Sequence, residues 1–176
     1  MPEPAHDPQF LEPLLGIVFD LDGTLVESQH DFGRMRKTVI DLAQRHGVVP
    51  GHLSVTDPIP TLMEAAREEL GRGPGGEGSV YKFEVEANRA IDAQELEALP
   101  RTRARIGAEP LLKALTTKGF RLGILTRSSE HFCRAALHQT RLLPYFPTLR
   151  TRSSPGPAKP SPEALRLLLD EMGVPR

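Results

Sequence analysis

The sequence predicts an α/β fold: a Rossmann-like parallel sheet assembled from two separated stretches of chain, with a helical unit inserted between them. Three observations carry this. Residues 14–19 (LLGIVF) and 121–126 (RLGILT) are short apolar runs without the alternation of a half-exposed strand, the pattern of parallel strands buried on both faces. Each run stops at polar, chemically active residues and is followed by a helical pattern, the order that a parallel sheet requires. The stretch between them, residues 28–105, carries helical spacing and no strand-like run.

Taken in order, a polar leader precedes the first strand, which ends at Asp20-Leu21-Asp22-Gly23-Thr24. Two carboxylates and a glycine thus fall in the loop at a strand's carboxyl end, where open α/β sheets bind ligands. Phe32, Met35, Val39 and Leu42, then Leu62, Ala65, Ala66 and Leu70, follow i, i+3, i+4 spacing and predict two helices. Gly47, Pro50, Gly51, Pro58 and Pro60 break the chain between them, and residues 71–78 (GRGPGGEG) read as a flexible loop. A third, highly charged helix is expected over 81–99, stopped by Pro100. Helix 109–118 closed by Gly119, strand 121–126, helix 130–143 and a short strand 148–151 come next. The loop 153–162 then feeds a helix over 162–172, with Ser161 as its cap and Pro162 in its first turn. The domains expected are a discontinuous α/β core, 1–27 with 106–176, and a helical unit, 28–105.

Composition narrows the function. The 176 residues carry 22 Lys and Arg against 23 Asp and Glu, a net charge of −1, which gives nucleic acid or an anionic membrane no basic surface to bind. The opening MPEPAHDPQF lacks the basic start and apolar run of a signal peptide, and no later stretch approaches the ~18 apolar residues of a membrane span. Cys133 is the one cysteine, so no intrachain disulfide forms, and the expected location is cytoplasmic. Glu3 and Asp7 argue against a mitochondrial address without closing it off.

Two carboxylates at i and i+2 on a sharp turn can divide labour, one ionised as a nucleophile and the other close enough to pass a proton. Thr126 ends the second strand and Lys159 lies in the proline-rich loop KPSPEAL, so a hydroxyl and a cation follow the acids in order. Each alone is bland: Asp-x-Asp forms turns, a threonine often ends a strand, and a loop lysine is usually solvated. His131 and His138 read as surface or packing residues, Arg101, Arg103 and Arg105 as a solvated linker, and Cys133 as a small buried hydrophobe.

Together, DLDGTLV at residues 20–26, Thr126 after its apolar run and Lys159 in KPSPEAL resemble the first three motifs of the haloacid-dehalogenase-like superfamily, in particular its phosphoglycolate-phosphatase-like phosphatases. The resemblance covers residues 14–172, with 28–105 in the place of the family's cap. It implies a Mg2+-dependent phosphomonoesterase acting on a small phosphorylated metabolite. Asp20 would be the nucleophile that forms an aspartyl-phosphate, and Asp22 the acid that protonates the leaving oxygen and then activates water. Asp20 and the backbone carbonyl of Asp22 would hold Mg2+; Thr126, Lys159 and Arg127 would bind the phosphate. The acid at Asp22 favours phosphate ester cleavage over dehalogenation, whose enzymes lack it. A receiver-type signalling domain also orders Asp, Thr and Lys on a parallel sheet, but it has no Asp-Gly-Thr turn and no helical insert.

The chain departs from the family in one respect. Its fourth motif, an acidic pair at the end of a further strand, does not follow Lys159, because the remaining residues form the helix 162–172 and Gly173-Val174-Pro175-Arg176. Asp170 and Glu171 lie on that helix and cannot substitute. The expectation is an amino-terminal portion of a longer phosphatase, inactive and poorly soluble alone, with its first strand left at a sheet edge. A catalytically silent phosphate-binding or regulatory protein is the competing expectation.

Overall fold

In the computed structural model, residues 15–174 are described, in the order β1 (Gly16–Phe19), β2 (Val26–Glu27), α1 (Phe32–His46), α2 (Ile59–Arg72), α3 (Gly76–Ala98), β3 (Arg103–Ala104), α4 (Ala108–Thr117), β4 (Arg121–Leu125), α5 (Glu130–Gln139), β5 (Thr148–Arg150) and α6 (Pro162–Glu171). β1, β4 and β5 form a parallel sheet in the order β1-β4-β5, with Phe19 opposite Ile124 and Leu125 opposite Arg150. β2 and β3 pair antiparallel as a separate ribbon, Glu27 opposite Arg103. The chain divides into two compact units, one of residues up to Glu27 together with those from Arg103 onward, the other Ser28–Thr102. No helix among the described residues is long and apolar enough to cross a membrane.

In the α/β unit, Leu122 and Ile124 of β4 are buried with Leu112 of α4, Phe132 and Leu137 of α5, and Ala164 and Leu168 of α6. The end of α6 seats on the sheet through Met172. A Cβ on Gly123 would stand 2.5 Å from its sulfur, and one on Gly16 would stand 2.8 Å from Val174, so both strands carry glycine to admit that side of the chain. Arg121 Nη1 donates to the carbonyls of Met172, at 3.0 Å, and of Gly173. At the other end of β1, Phe19 meets Phe146 edge to face at 5.8 Å.

The helical unit has its own core, in which Met35, Val39 and Leu42 of α1 meet Leu62, Ala66 and Leu70 of α2 and Phe83, Ala87 and Ile91 of α3. Asp31 caps α1 by accepting the Arg34 N–H at 2.9 Å, and Gly47 closes it in the left-handed conformation, φ 116°. Beyond that helix, Glu69 accepts the Val49 N–H at 2.7 Å and faces His52 Nδ1 at 2.9 Å.

Four elements differ from expectation. The first strand is expected buried over 14–19 and at a sheet edge; β1 does lie at one edge, but Leu15 is exposed and β1 only half-buried, while Leu14, the leader and Pro175-Arg176 lie outside the described residues. The loop expected over 71–78 shrinks, because α2 runs to Arg72 and α3 begins at Gly76. Glu77 complements the dipole of that first turn, and packing of the α3 stripe outweighs the ~1 kcal/mol that each glycine costs a helix. Helix 130–143 stops at Gln139, since Thr140 bonds back to the Ala136 carbonyl and Arg141 turns left-handed, φ 63°, to bury Leu142. The Arg101–Arg105 linker is not simply solvated: Arg103 and Ala104 pair with β2, and Arg105 bonds Glu27 at 3.0 Å.

Two outcomes follow from this packing. Gly123→Ala should lower stability by about 1–3 kcal/mol through overpacking against Met172, read as a lower urea midpoint at unchanged slope. The Val49 N–H and then His52 hold the Glu69 carboxyl below the ordinary carboxylate range. Its contribution is therefore present above the unfolded pKa and is lost as pH falls through the lowered folded value. The Val49 amide resonance should titrate with a midpoint below the ~4.3 of an unperturbed glutamate; a midpoint at or above it would contradict the assignment.

Candidate active site

The loop after β1 is held by one carbonyl. Leu21, fully buried, accepts from the N–H groups of Thr24, Leu25 and Val26 at 3.3, 2.9 and 3.1 Å, while Gly23 N–H donates to the Val26 carbonyl at 2.8 Å. Gly23 adopts φ +76° with nothing within 4 Å of where a Cβ would be, so glycine is needed there for its backbone conformation. The turn therefore leaves Asp20 and Asp22 on its outer side, both half-exposed.

Asp20 and Lys159 meet directly. Lys159 Nζ lies 2.9 Å from Asp20 Oδ2, and Asp20 Oδ1 accepts the Leu21 N–H at 2.9 Å. The lysine comes from the loop between β5 and α6, whose far end is fixed where Ser161 N–H donates to Ala158 and Ser161 Oγ caps α6. Both partners of the ion pair are partly in water, side chains 33% and 41% exposed, so its contribution to stability is small. Its consequence is geometric: it sets the Lys159 ammonium against the carboxylate at the end of β1.

Asp22 and Thr126 are joined through a residue that the sequence reading passed over. Ser128 Oγ donates to Asp22 Oδ2 at 2.8 Å, and Ser128 N–H donates to Thr126 Oγ1 at 3.1 Å. Thr126 is buried and its N–H donates to the Arg150 carbonyl at 3.0 Å, which extends the β4–β5 ladder by one bond past the strand end. A hydroxyl that accepts from Ser128 has its own proton left to give. Arg127 stands further out, with its side chain exposed; its carbonyl accepts from Arg152 Nη1 at 3.3 Å. Ser128 had a faint signal, a hydroxyl two residues past the motif threonine. Arg150, in a strand of three residues, had none.

The oxygen donors of Asp20 and Asp22 are of the kind that Mg2+ takes, and a hydrated Mg2+ needs as few as one or two carboxylates beside a phosphate. Among the described residues, no group of three His, Cys, Asp or Glu is gathered that could hold a metal. The next acids along the chain are engaged elsewhere: Glu27 pairs with Arg105, and Asp31 caps α1.

Residues 14–176 match the haloacid dehalogenase-like hydrolases. A phosphoglycolate phosphatase of Rhodospirillum rubrum is 29% identical over 161 residues, 90% of this chain and 66% of that protein. One from Cereibacter sphaeroides is 28% identical over 163 residues, 86% of this chain and 68% of that protein. The chain thus spans about two thirds of the length of these curated relatives. Its fold is similar to a putative phosphoglycolate phosphatase from Lactobacillus plantarum, at TM-score 0.58, 18% identity, and coverage of 93% of this chain and 73% of that one. It is also similar to CbbY from Rhodobacter sphaeroides in complex with phosphate, at TM-score 0.55, 19% identity, and coverage of 93% and 74%.

Ser128→Ala should remove the bond to Asp22 and one link between the loops after β1 and β4. The expected loss is about 1–3 kcal/mol for a hydrogen bond to a charged, part-buried group, measured by urea unfolding. An unchanged midpoint would show that the bond contributes nothing in solution.

Proposed function

The chain belongs to the haloacid dehalogenase-like hydrolases, and from that membership we propose that its α/β unit is the core of a cytoplasmic, Mg2+-dependent phosphomonoesterase for a small phosphorylated metabolite. The observation that supports this is the ion pair of Lys159 with Asp20, formed at the end of β1 beside the loop that carries Thr126. A phosphate entering that position replaces one partner for each group: its oxygens take up Lys159, and the freed carboxylate faces phosphorus.

In the proposed reaction, Asp20 attacks phosphorus and the ester P–O bond breaks, with Asp22 giving a proton to the leaving oxygen. A water then loses a proton to Asp22 and attacks the aspartyl-phosphate, which releases inorganic phosphate and restores the Asp20 carboxylate and the protonated Asp22. Charge on the equatorial oxygens is met by the Thr126 hydroxyl and the Lys159 ammonium, with Arg127 adding a cation at the rim. Asp20 and the Asp22 carbonyl would hold Mg2+, which would supply neutralisation of the phosphate's charge. The helical unit Ser28–Thr102 is assigned as the cap, the part that in this family selects the substrate. With one carboxylate and one carbonyl as ligands, the 176-residue polypeptide by itself would keep Mg2+ weakly and bind phosphate better than it turns esters over.

The test uses the purified 176-residue chain. Inorganic phosphate, titrated with Mg2+ present and followed by 31P NMR, should bind saturably, and Lys159→Met should weaken it about tenfold by removing a charge-assisted bond. Mg2+-dependent hydrolysis of 2-phosphoglycolate should fall below the ~1 s−1 lower bound of ordinary enzymes, and Asp20→Asn should abolish what remains without changing the circular dichroism spectrum. A wild-type chain that binds no phosphate, or an Asp20→Asn chain that retains turnover, would overturn the reading.

A further inference from the structure

Lys159 lies on a segment that cannot fix itself. Residues 155–160 read PGPAKP, and three prolines in six residues leave N–H groups on Gly156, Ala158 and Lys159 alone. On its near side, Thr151 N–H donates to Ser154 Oγ at 2.9 Å and Ser153 N–H donates to Thr151 Oγ1 at 3.2 Å. On its far side, Ser161 N–H donates to the Ala158 carbonyl at 3.0 Å. The stretch between these turns must be held from outside, and a part-exposed ion pair between two flexible side chains is too weak to hold it.

The external tie is Arg150. Its Nη2 donates to the Pro155 carbonyl, and Gly156, at φ +84°, lies over the same group, where a Cβ would stand 3.4 Å from Nη2. Its Nη1 donates to Glu171 Oε1 of α6 at 2.7 Å, and its Nε is buried without a partner among the described residues. The residue is 4% exposed. A buried guanidinium is costly to desolvate, and an apolar side chain of similar length would fill that volume more cheaply. What the apolar residue lacks is a donor for a carbonyl that the prolines leave unbonded. A lysine lacks the planar fork that reaches two acceptors in different directions. The main chain of the same residue is also engaged, since the Arg150 carbonyl accepts the Thr126 N–H at 3.0 Å.

We propose that Arg150 is a positioning residue for the phosphate site. Its backbone fixes Thr126, its side chain fixes the loop that presents Lys159, and one residue of β5 thereby sets the spacing between the hydroxyl and the ammonium. The inference rests on the phosphatase reading for the role of Lys159, and its test separates the two.

The measurement is the backbone 15N order parameters of the full chain, together with inorganic phosphate affinity by 31P NMR, for wild type, Arg150→Lys and Arg150→Met. Order parameters at Gly156, Ala158 and Lys159 should fall from rigid values, about 0.85, to below about 0.6 in both variants, with Ile124 of β4 as the control for an intact sheet. Phosphate affinity should fall about tenfold, as for loss of a hydrogen bond to a charged group. A role confined to stability would lower affinity equally in any background, so Lys159→Met supplies the discriminating cycle. In that background Arg150→Lys should cost no further phosphate affinity. Guanidinium ion at low concentration should restore part of the loop's order in Arg150→Ala and leave wild type unchanged.

Loop order parameters unchanged in a folded Arg150→Lys chain would overturn the proposal, as would full additivity with Lys159→Met. If Arg150→Met fails to fold, Arg150→Lys, which retains a cation for Glu171, decides the matter by the same readouts. A wild-type chain that binds no phosphate while Arg150→Lys loosens the loop would overturn the phosphatase reading and support the tie.

Discussion

The constraint on which the rest of the α/β unit depends is the parallel pairing of β1 with β4. It brings Phe19 opposite Ile124, so the loops that follow each strand open side by side at one end of the sheet. Everything at the candidate site is reached from there: Asp20 and Asp22 from the first loop, Thr126 and Ser128 from the second, and Lys159 after one further strand. The pairing joins residues far apart in sequence, but the entropy of closing a loop grows only with the logarithm of its length. The intervening chain also folds on its own core, with Phe83, Leu62 and Val39 fully buried, and adds little floppy length to the closure.

Within that frame the two acids are kept distinct by their donors. Asp20 receives a backbone N–H and an ammonium, and Asp22 receives a hydroxyl from Ser128. Separate partners thus hold the two side chains of one tight turn in different places. The threonine is drawn into the same arrangement because Ser128 spends its N–H on Thr126 and its O–H on Asp22. One serine therefore sets the orientation of a hydroxyl on one strand end and of an acid on the neighbouring one.

Much of this was legible in the residues. The run 121–126 and its partner 14–19 announced parallel strands because burial on both faces leaves no polar alternation, and the Asp-x-Asp-Gly-Thr turn marked the ligand end. The edges were less readable. Two-residue strands such as Val26–Glu27 and Arg103–Ala104 are shorter than any period, and the start of α3 at Gly76 depends on packing that local propensity opposes. Arg150 was invisible, and Ser128 nearly so, for a related reason: each acts through a hydrogen bond between loops or strands, and sequence spacing carries no record of which loop a side chain will meet. Gly23 shows the reverse case, in which the residue type was foreseen and its reason was conformational, a positive φ with open space around it.

The ribbon of β2 and β3 has a consequence for how such a chain changes over time. Glu27 and Arg103 are register partners, so the backbone leaves the α/β unit and rejoins it at two points about 5 Å apart, the spacing of antiparallel neighbours. A gap of that size is one that a two-residue hairpin closes. To the sheet, the whole of Ser28–Thr102 is then equivalent to a turn, and its length, helix count and amino-acid content are free of the demands that fix β1 against β4. The insert can therefore lengthen, shorten or exchange its helices without moving the strand ends that carry Asp20 and Thr126, because it begins and ends at the same place on the sheet's side of the ribbon.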